Sequence, residues 1–122
     1  MSTVAIRGAT TVSENSISSI LESTNELLLE IERQNHIDRE KVLSITFSCT
    51  KDLDKVYPAK AAREMGYTNT ALMCFNEMYV EGSLKKCIRL MVLYNCEANQ
   101  SDVKHIYLRD AKVLRPDLSN KA

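Results

Sequence analysis

Between residues 17 and 31 the apolar side chains Ile17, Ile20, Leu21, Leu28 and Ile31 return at helical intervals, while Glu22, Glu26, Glu30 and Arg33 fall on the other side. That is the period of an amphipathic α-helix with one face against a core, and it predicts one long helix over residues 14–35. Thr11 with Glu14 three positions later has the form of a capping box, and Ser13 competes as N-cap. Elsewhere the period shortens towards two. Residues 4–10 read as a strand broken at Gly8, and residues 42–48 as a second, rich in β-branched side chains, after a turn at Asp38-Arg39-Glu40. Residues 70–75 and 87–96 read as a third and a longer fourth strand, and 103–110 as a fifth after a turn at Gln100-Ser101-Asp102.

Pro58 suits the first turn of a short helix and Gly66 its C-terminal stop. Tyr57 stands just ahead of that helix, and Lys60 and Arg63, three apart, share one side of it. Beyond Val113-Leu114-Arg115, Pro116 is expected to end regular structure. The reading is therefore a single domain over 1–115 and a mobile C-terminal tail over 116–122. The predicted class is α+β: a mixed β-sheet with one long and one short helix, without the regular alternation of a doubly wound fold. Two helices leave much of such a sheet uncovered, which favours oligomerisation.

Composition narrows the partners. The 122 residues carry 16 Lys plus Arg against 16 Asp plus Glu, a balance that argues against nucleic acid or an anionic membrane as a general partner. The longest apolar run, residues 90–94, is far short of the roughly 20 residues of a membrane span, and no secretory signal precedes residue 7. A cytoplasmic protein is expected. The four cysteines form no CxxC pair, and His36 and His105 stand apart, so no metal site is expected and the thiols read as reduced packing residues.

Nucleotide-binding, zinc-hydrolase and nucleophile-elbow motifs are all missing. The unusual feature is the placing of cations. Arg89 interrupts the apolar stretch 87–94, and Arg7 is the one charge in residues 4–8. On a central strand the Arg89 guanidinium would be partly buried and would need an anionic partner. With Lys60, Arg63 and Arg115 these make five candidate cations for a small polyanionic ligand. Spacing leaves a second reading open, in which Arg89 pairs with Glu77 or another core acid and the rest are solvated. Glu77 and Cys74 offer an acceptor and a weak polar contact, or else a surface acid and a strand thiol. Tyr107 alternates with Ile106 and Leu108, a position that suits half-buried packing as well as ligand contact.

Five blocks together resemble the AroH-class chorismate mutases: residues 6–12 (IRGATTV), 57–63 (YPAKAAR), 74–78 (CFNEM), 82–89 (GSLKKCIR) and 113–118 (VLRPDL). The resemblance covers nearly the whole chain in family order. It implies a homotrimer with a pseudo-α/β barrel of sheets inside a layer of helices, active sites between subunits, and a cofactor-free rearrangement of chorismate to prephenate. By the same resemblance Arg89 serves the ether oxygen and the enolpyruvyl carboxylate, and Arg7 with Tyr107 holds the side-chain carboxylate. Glu77, helped by Cys74, accepts from the ring hydroxyl. Tyr57, Lys60, Arg63 and Met73 match pocket positions of the neighbouring subunit, and Leu114 and Arg115 match a closing flap. Tyr57 stands where the family commonly has Phe, and Met73 where it has a smaller polar residue.

Overall fold

The computed structural model describes residues 2–116. Its centre is a five-stranded mixed sheet in the order β3-β2-β4-β1-β5. The strands are β1 (Ser2–Thr11), β2 (Val42–Cys49), β3 (Ala71–Asn76), β4 (Cys87–Cys96) and β5 (Ile106–Tyr107). β4 pairs antiparallel with β1 on one side and β2 on the other, while β3 and β5 add parallel at the edges. Helix α1 (Ile17–Asn35) and the short helix α2 (Ala59–Met65) complete the α+β architecture.

The core lies between the sheet and α1. Ile6, Ile45, Phe47 and Ile88 are fully covered, as are Ile20, Leu27 and Leu28 of the helix. Burying a side chain of this size contributes about 1.5–3 kcal/mol. Gly8 does not break the first strand. A Cβ there would stand 2.8 Å from Ile31 Cδ1 and 3.2 Å from Leu27 Cδ1; the glycine is what lets the helix lie this close to the strand.

Helix α1 begins later than the capping-box reading allows. Ser16 is the N-cap, its side chain accepting from the Ser19 N–H at 3.2 Å, and Ile17, expected on the buried stripe, is exposed. At the other end His36 adopts φ 52° and donates its N–H to the Glu32 carbonyl, closing the helix as an αL residue does. Asp38 caps a single 3-10 turn, Arg39–Lys41, that leads into β2. Helix α2 starts at Pro58 and stops at Gly66, with φ 106°, as the residue types require. It is clasped to α1 through Glu32, which accepts from Tyr67 Oη at 2.5 Å and from Arg39 Nε at 2.6 Å, while Arg39 also donates to the Met65 carbonyl.

The fifth strand is much shorter than residues 103–110. Only Ile106 and Tyr107 pair with β1, and a 3-10 segment, Arg109–Leu114, follows at once. The 3-10 segment ends at Leu114, and Pro116 stands at the limit of the described residues. The remainder of the expected tail lies outside the described residues.

Candidate active site

Alternation along three strands sorts their side chains onto two faces. Ile6, Phe47, Ile88 and Leu90 turn towards α1, so Arg7, Thr46, Ser48, Arg89 and Met91 turn to the opposite, open face. Register then decides which of them meet. Arg89 lies opposite Ala9 on one side and Ser48 on the other, and Met91 lies between Arg7 and Thr46. Directly opposed residues of an antiparallel pair point to the same face. The guanidinium is thus flanked by two small side chains that leave it room above the sheet.

The result is a cavity of about 390 Å³ on the open face, lined by Arg7, Ala9, Thr46, Ser48, Arg89, Met91, Tyr107, Leu114 and Arg115. Its far wall comes from the end of the chain. Tyr107 pairs in register with Ala9, and the Leu108 N–H donates to the Ala9 carbonyl at 2.9 Å. His105, an isolated histidine in the sequence, accepts from the Arg7 backbone N–H through Nδ1 at 2.9 Å. The 3-10 segment after β5 then carries the chain back so that Leu114 and Arg115 reach the rim.

Arg89 is half-buried, in keeping with its strand position. Its side chain is 50% exposed, because nothing among the described residues covers this face. It is nonetheless paired: Nε stands 3.5 Å from Glu77 Oε1. Glu77 follows directly on β3, and its N–H donates to the Cys49 carbonyl at 2.8 Å, which roots it at the end of β2. Its Oε1 also accepts from Ser48 Oγ at 2.6 Å. Arg89 therefore pairs with Glu77, as one of the two readings left open by spacing has it, and also lines the cavity. Beside them Cys87 is buried, and burial pushes its thiol up while the nearby Arg89 opposes the shift.

The other candidates gather elsewhere on the same chain. Tyr57, 71% exposed, and Cys74 line a second, larger cleft together with Pro58 and Phe75. Cys74 is the register partner of Phe47 and packs against the core, on the α1 side of the sheet. Burial raises its pKa, and a hydrogen bond from the Ala59 backbone and the charge of Arg63 only partly offset this, so the thiol is neutral at pH 7. Lys60 and Arg63 are exposed on α2. Met73 faces the open side, in register with Thr46, one strand beyond the cavity. Within one chain, then, Arg7, Arg89, Tyr107, Leu114 and Arg115 come together with Glu77 at their edge. Tyr57, Lys60, Arg63, Met73 and Cys74 stay outside that cavity, and Cys74 and Glu77 line different depressions.

Ser48 and Thr46 line the cavity without having been singled out from the sequence. The available signal was their alternation with Ile45 and Phe47, which marks small polar side chains on the open face. Among the described residues no three His, Cys, Asp or Glu side chains converge as metal ligands would.

The chain matches the family model described as chorismate mutase type I over residues 3–118. It is 45% identical over 115 residues to the chorismate mutase AroH of Bacillus subtilis, spanning 93% of this chain and 91% of that one. It is 41% identical to the chorismate mutase AroH of Thermus thermophilus over 116 residues, 94% of this chain and 95% of the relative. Among solved structures, a chorismate mutase from Clostridium thermocellum superposes with a TM-score of 0.87 at 52% identity, covering 89% of this chain and 97% of that one. With the open-face arginines, the five-stranded mixed sheet and this degree of identity over almost its full length, the chain belongs to the type I chorismate mutase family, isomerases that convert chorismate into prephenate.

Proposed function

We propose that the open-face cavity binds chorismate and carries out the rearrangement with no covalent intermediate and no cofactor. The observation that supports this most directly is the convergence of Arg7, Arg89 and Tyr107 on one cavity of about 390 Å³, with Glu77 held against Arg89. The substrate is a dicarboxylate with an ether oxygen and a ring hydroxyl. Two permanent cations and an adjacent carboxylate complement those groups in kind and number.

The reaction makes two physical demands. The enolpyruvyl arm must be held over the ring, which is a problem of orientation. The breaking C–O bond also places partial negative charge on the ether oxygen, so a preorganised cation stabilises the transition state more than the ground state. Arg89 takes the ether oxygen and the enolpyruvyl carboxylate, since a planar guanidinium serves two oxygens at once. Arg7, with Tyr107, takes the side-chain carboxylate. Glu77 accepts from the ring hydroxyl. Leu114 and Arg115 close over the ligand at the rim, and residues 1–115 form the catalytic unit.

Tyr57, Lys60, Arg63, Met73 and Cys74 complete the pocket from the neighbouring subunit of a homotrimer. Two features support an assembly. The open face exposes Met73, Phe75 and Met91, and one chain spreads the candidate residues over separate depressions. A cytoplasmic location fits a chain in which no described helix is long and apolar enough to cross a membrane.

The test is loss of the chorismate diene absorbance, with prephenate identified as product, followed by subunit mixing. Arg89→Ala and Arg63→Ala variants, each impaired alone, are unfolded, mixed and refolded. In a randomly mixed cyclic trimer about one site in four receives both native residues, so activity returns to roughly that fraction. Absence of prephenate overturns the activity, and absence of recovery on mixing overturns the shared site.

A further inference from the structure

Ser48 makes the shortest contact to Glu77. Its hydroxyl donates to Glu77 Oε1 at 2.6 Å, within the range of a charge-assisted O–H···O⁻ bond. The same oxygen lies 3.5 Å from Arg89 Nε, beyond ordinary N–H···O hydrogen-bond distance. No hydrogen bond to Oε2 is formed among the described residues. A carboxylate this near a guanidinium would ordinarily close into a two-bond fork. That fork would occupy two of the five N–H donors of Arg89 and engage both oxygens of Glu77, so a ligand would have to compete for the carboxylate.

The backbone makes the alternative specific. The Glu77 N–H is anchored on the Cys49 carbonyl at 2.8 Å, Ser48 is the adjacent residue of the same strand, and Arg89 is the register partner of Ser48 across β2 and β4. The hydroxyl therefore stands at the foot of both charged side chains, on the face that lines the cavity.

We propose that Ser48 is a positioning residue that holds Glu77 Oε1, keeps the carboxylate from closing on Arg89, and so leaves Oε2 to accept from the ligand's ring hydroxyl. The inference rests on the roles given above to Glu77 and Arg89. It predicts that Ser48 acts entirely through Glu77.

The experiment measures kcat and KM for chorismate in the wild type, Ser48→Ala, Ser48→Thr, Glu77→Ala and the Ser48→Ala/Glu77→Ala double variant, with thermal midpoints as a folding control. Loss of one hydrogen bond to a charged group corresponds to about a tenfold change. Ser48→Ala accordingly raises KM about tenfold while kcat changes less than about threefold, as Arg89 must first be freed from Glu77. Ser48→Thr, which keeps the hydroxyl, stays near wild type, and the double variant matches Glu77→Ala alone. A wild-type KM in Ser48→Ala, no rescue by threonine, or a serine effect that multiplies with Glu77→Ala would each overturn the proposal. A wild type that forms no prephenate would instead remove the functional reading on which it rests, so the two failures are told apart.

Discussion

The two faces of the sheet are built from neighbouring residues of the same strands, yet they have opposite chemistry. Towards α1 Ile6, Phe47, Ile88 and Leu90 are apolar and closed, and Gly8 gives up its side chain so that Ile31 and Leu27 can approach. On the other side Arg7, Ser48 and Arg89 line an open cavity, with Arg89 flanked by the small side chains of Ala9 and Ser48. The first face stabilises the fold, and among its strand residues Cys74 alone is a candidate for the site. The second holds charged groups in place without filling the space between them. Arg89 can be an exposed cation on a central strand because the residues before and after it along β4, Ile88 and Leu90, are buried against the helix, so the strand's position is held by the opposite face.

That contrast can be broken from either side. The largest effect is expected from Phe47→Ala, which opens a cavity in a fully covered position and lowers stability by about 3–5 kcal/mol. Denaturant unfolding reads that loss, while kcat of the molecules still folded changes little. Arg89→Ala should do the reverse. Removing one preorganised donor from a developing anion costs about 3–4 kcal/mol, a 10²–10³-fold loss of kcat, with the unfolding midpoint nearly unchanged. Near-normal kcat in that variant would refute the role assigned to Arg89. Gly8→Val tests the contact between the two faces. The added side chain meets Ile31 Cδ1 and Leu27 Cδ1, and overpacking of this kind costs about 1–3 kcal/mol. Since Arg7 and Ala9 flank the site of insertion, activity should fall together with the thermal midpoint.

The smallest effect belongs to the thiols. Burial pushes Cys49 up to about 12 from an ordinary 9.0, and Cys74 and Cys87 are raised too. The unfolded chain therefore releases these protons first as pH rises, so stability is fully present below about pH 9 and declines above it. For Cys49 alone the loss reaches about 1.4 kcal/mol by pH 10. Unfolding midpoints measured from pH 7 to 10.5 should fall more steeply for the wild type than for Cys49→Ala. Equal slopes would show that this thiol is not protected in the native state.

Much of this was legible in the sequence, and the misses share a cause. The fourth strand, the short helix between Pro58 and Gly66, and the long amphipathic helix follow from local periodicity and from residues with one strong conformational preference. The helix start was misplaced because Thr11, Ser13 and Ser16 are all chemically able to cap, and only the path out of β1 selects Ser16. Gly8 looked like a strand break for the same reason: its use is a contact with residues about twenty positions away. For the site, a lone arginine in an apolar strand was visible as an anomaly. Ser48 was not, because a serine alternating with apolar residues is unremarkable until a partner is known.

Taken alone, the sequence determined the class of fold, the identities of the cations and the absence of any familiar nucleophile motif, since each depends on residue type and short-range spacing. Tertiary structure alone decided that Arg89 lies between Ala9 and Ser48, that Glu77 returns over the end of β2 to meet it, and that Cys74 faces away from both. Those are matters of strand register, where a shift of one residue moves every side chain to the opposite face. Register is set by how the whole apolar face packs against α1, a sum over many distant contacts that no local segment contains.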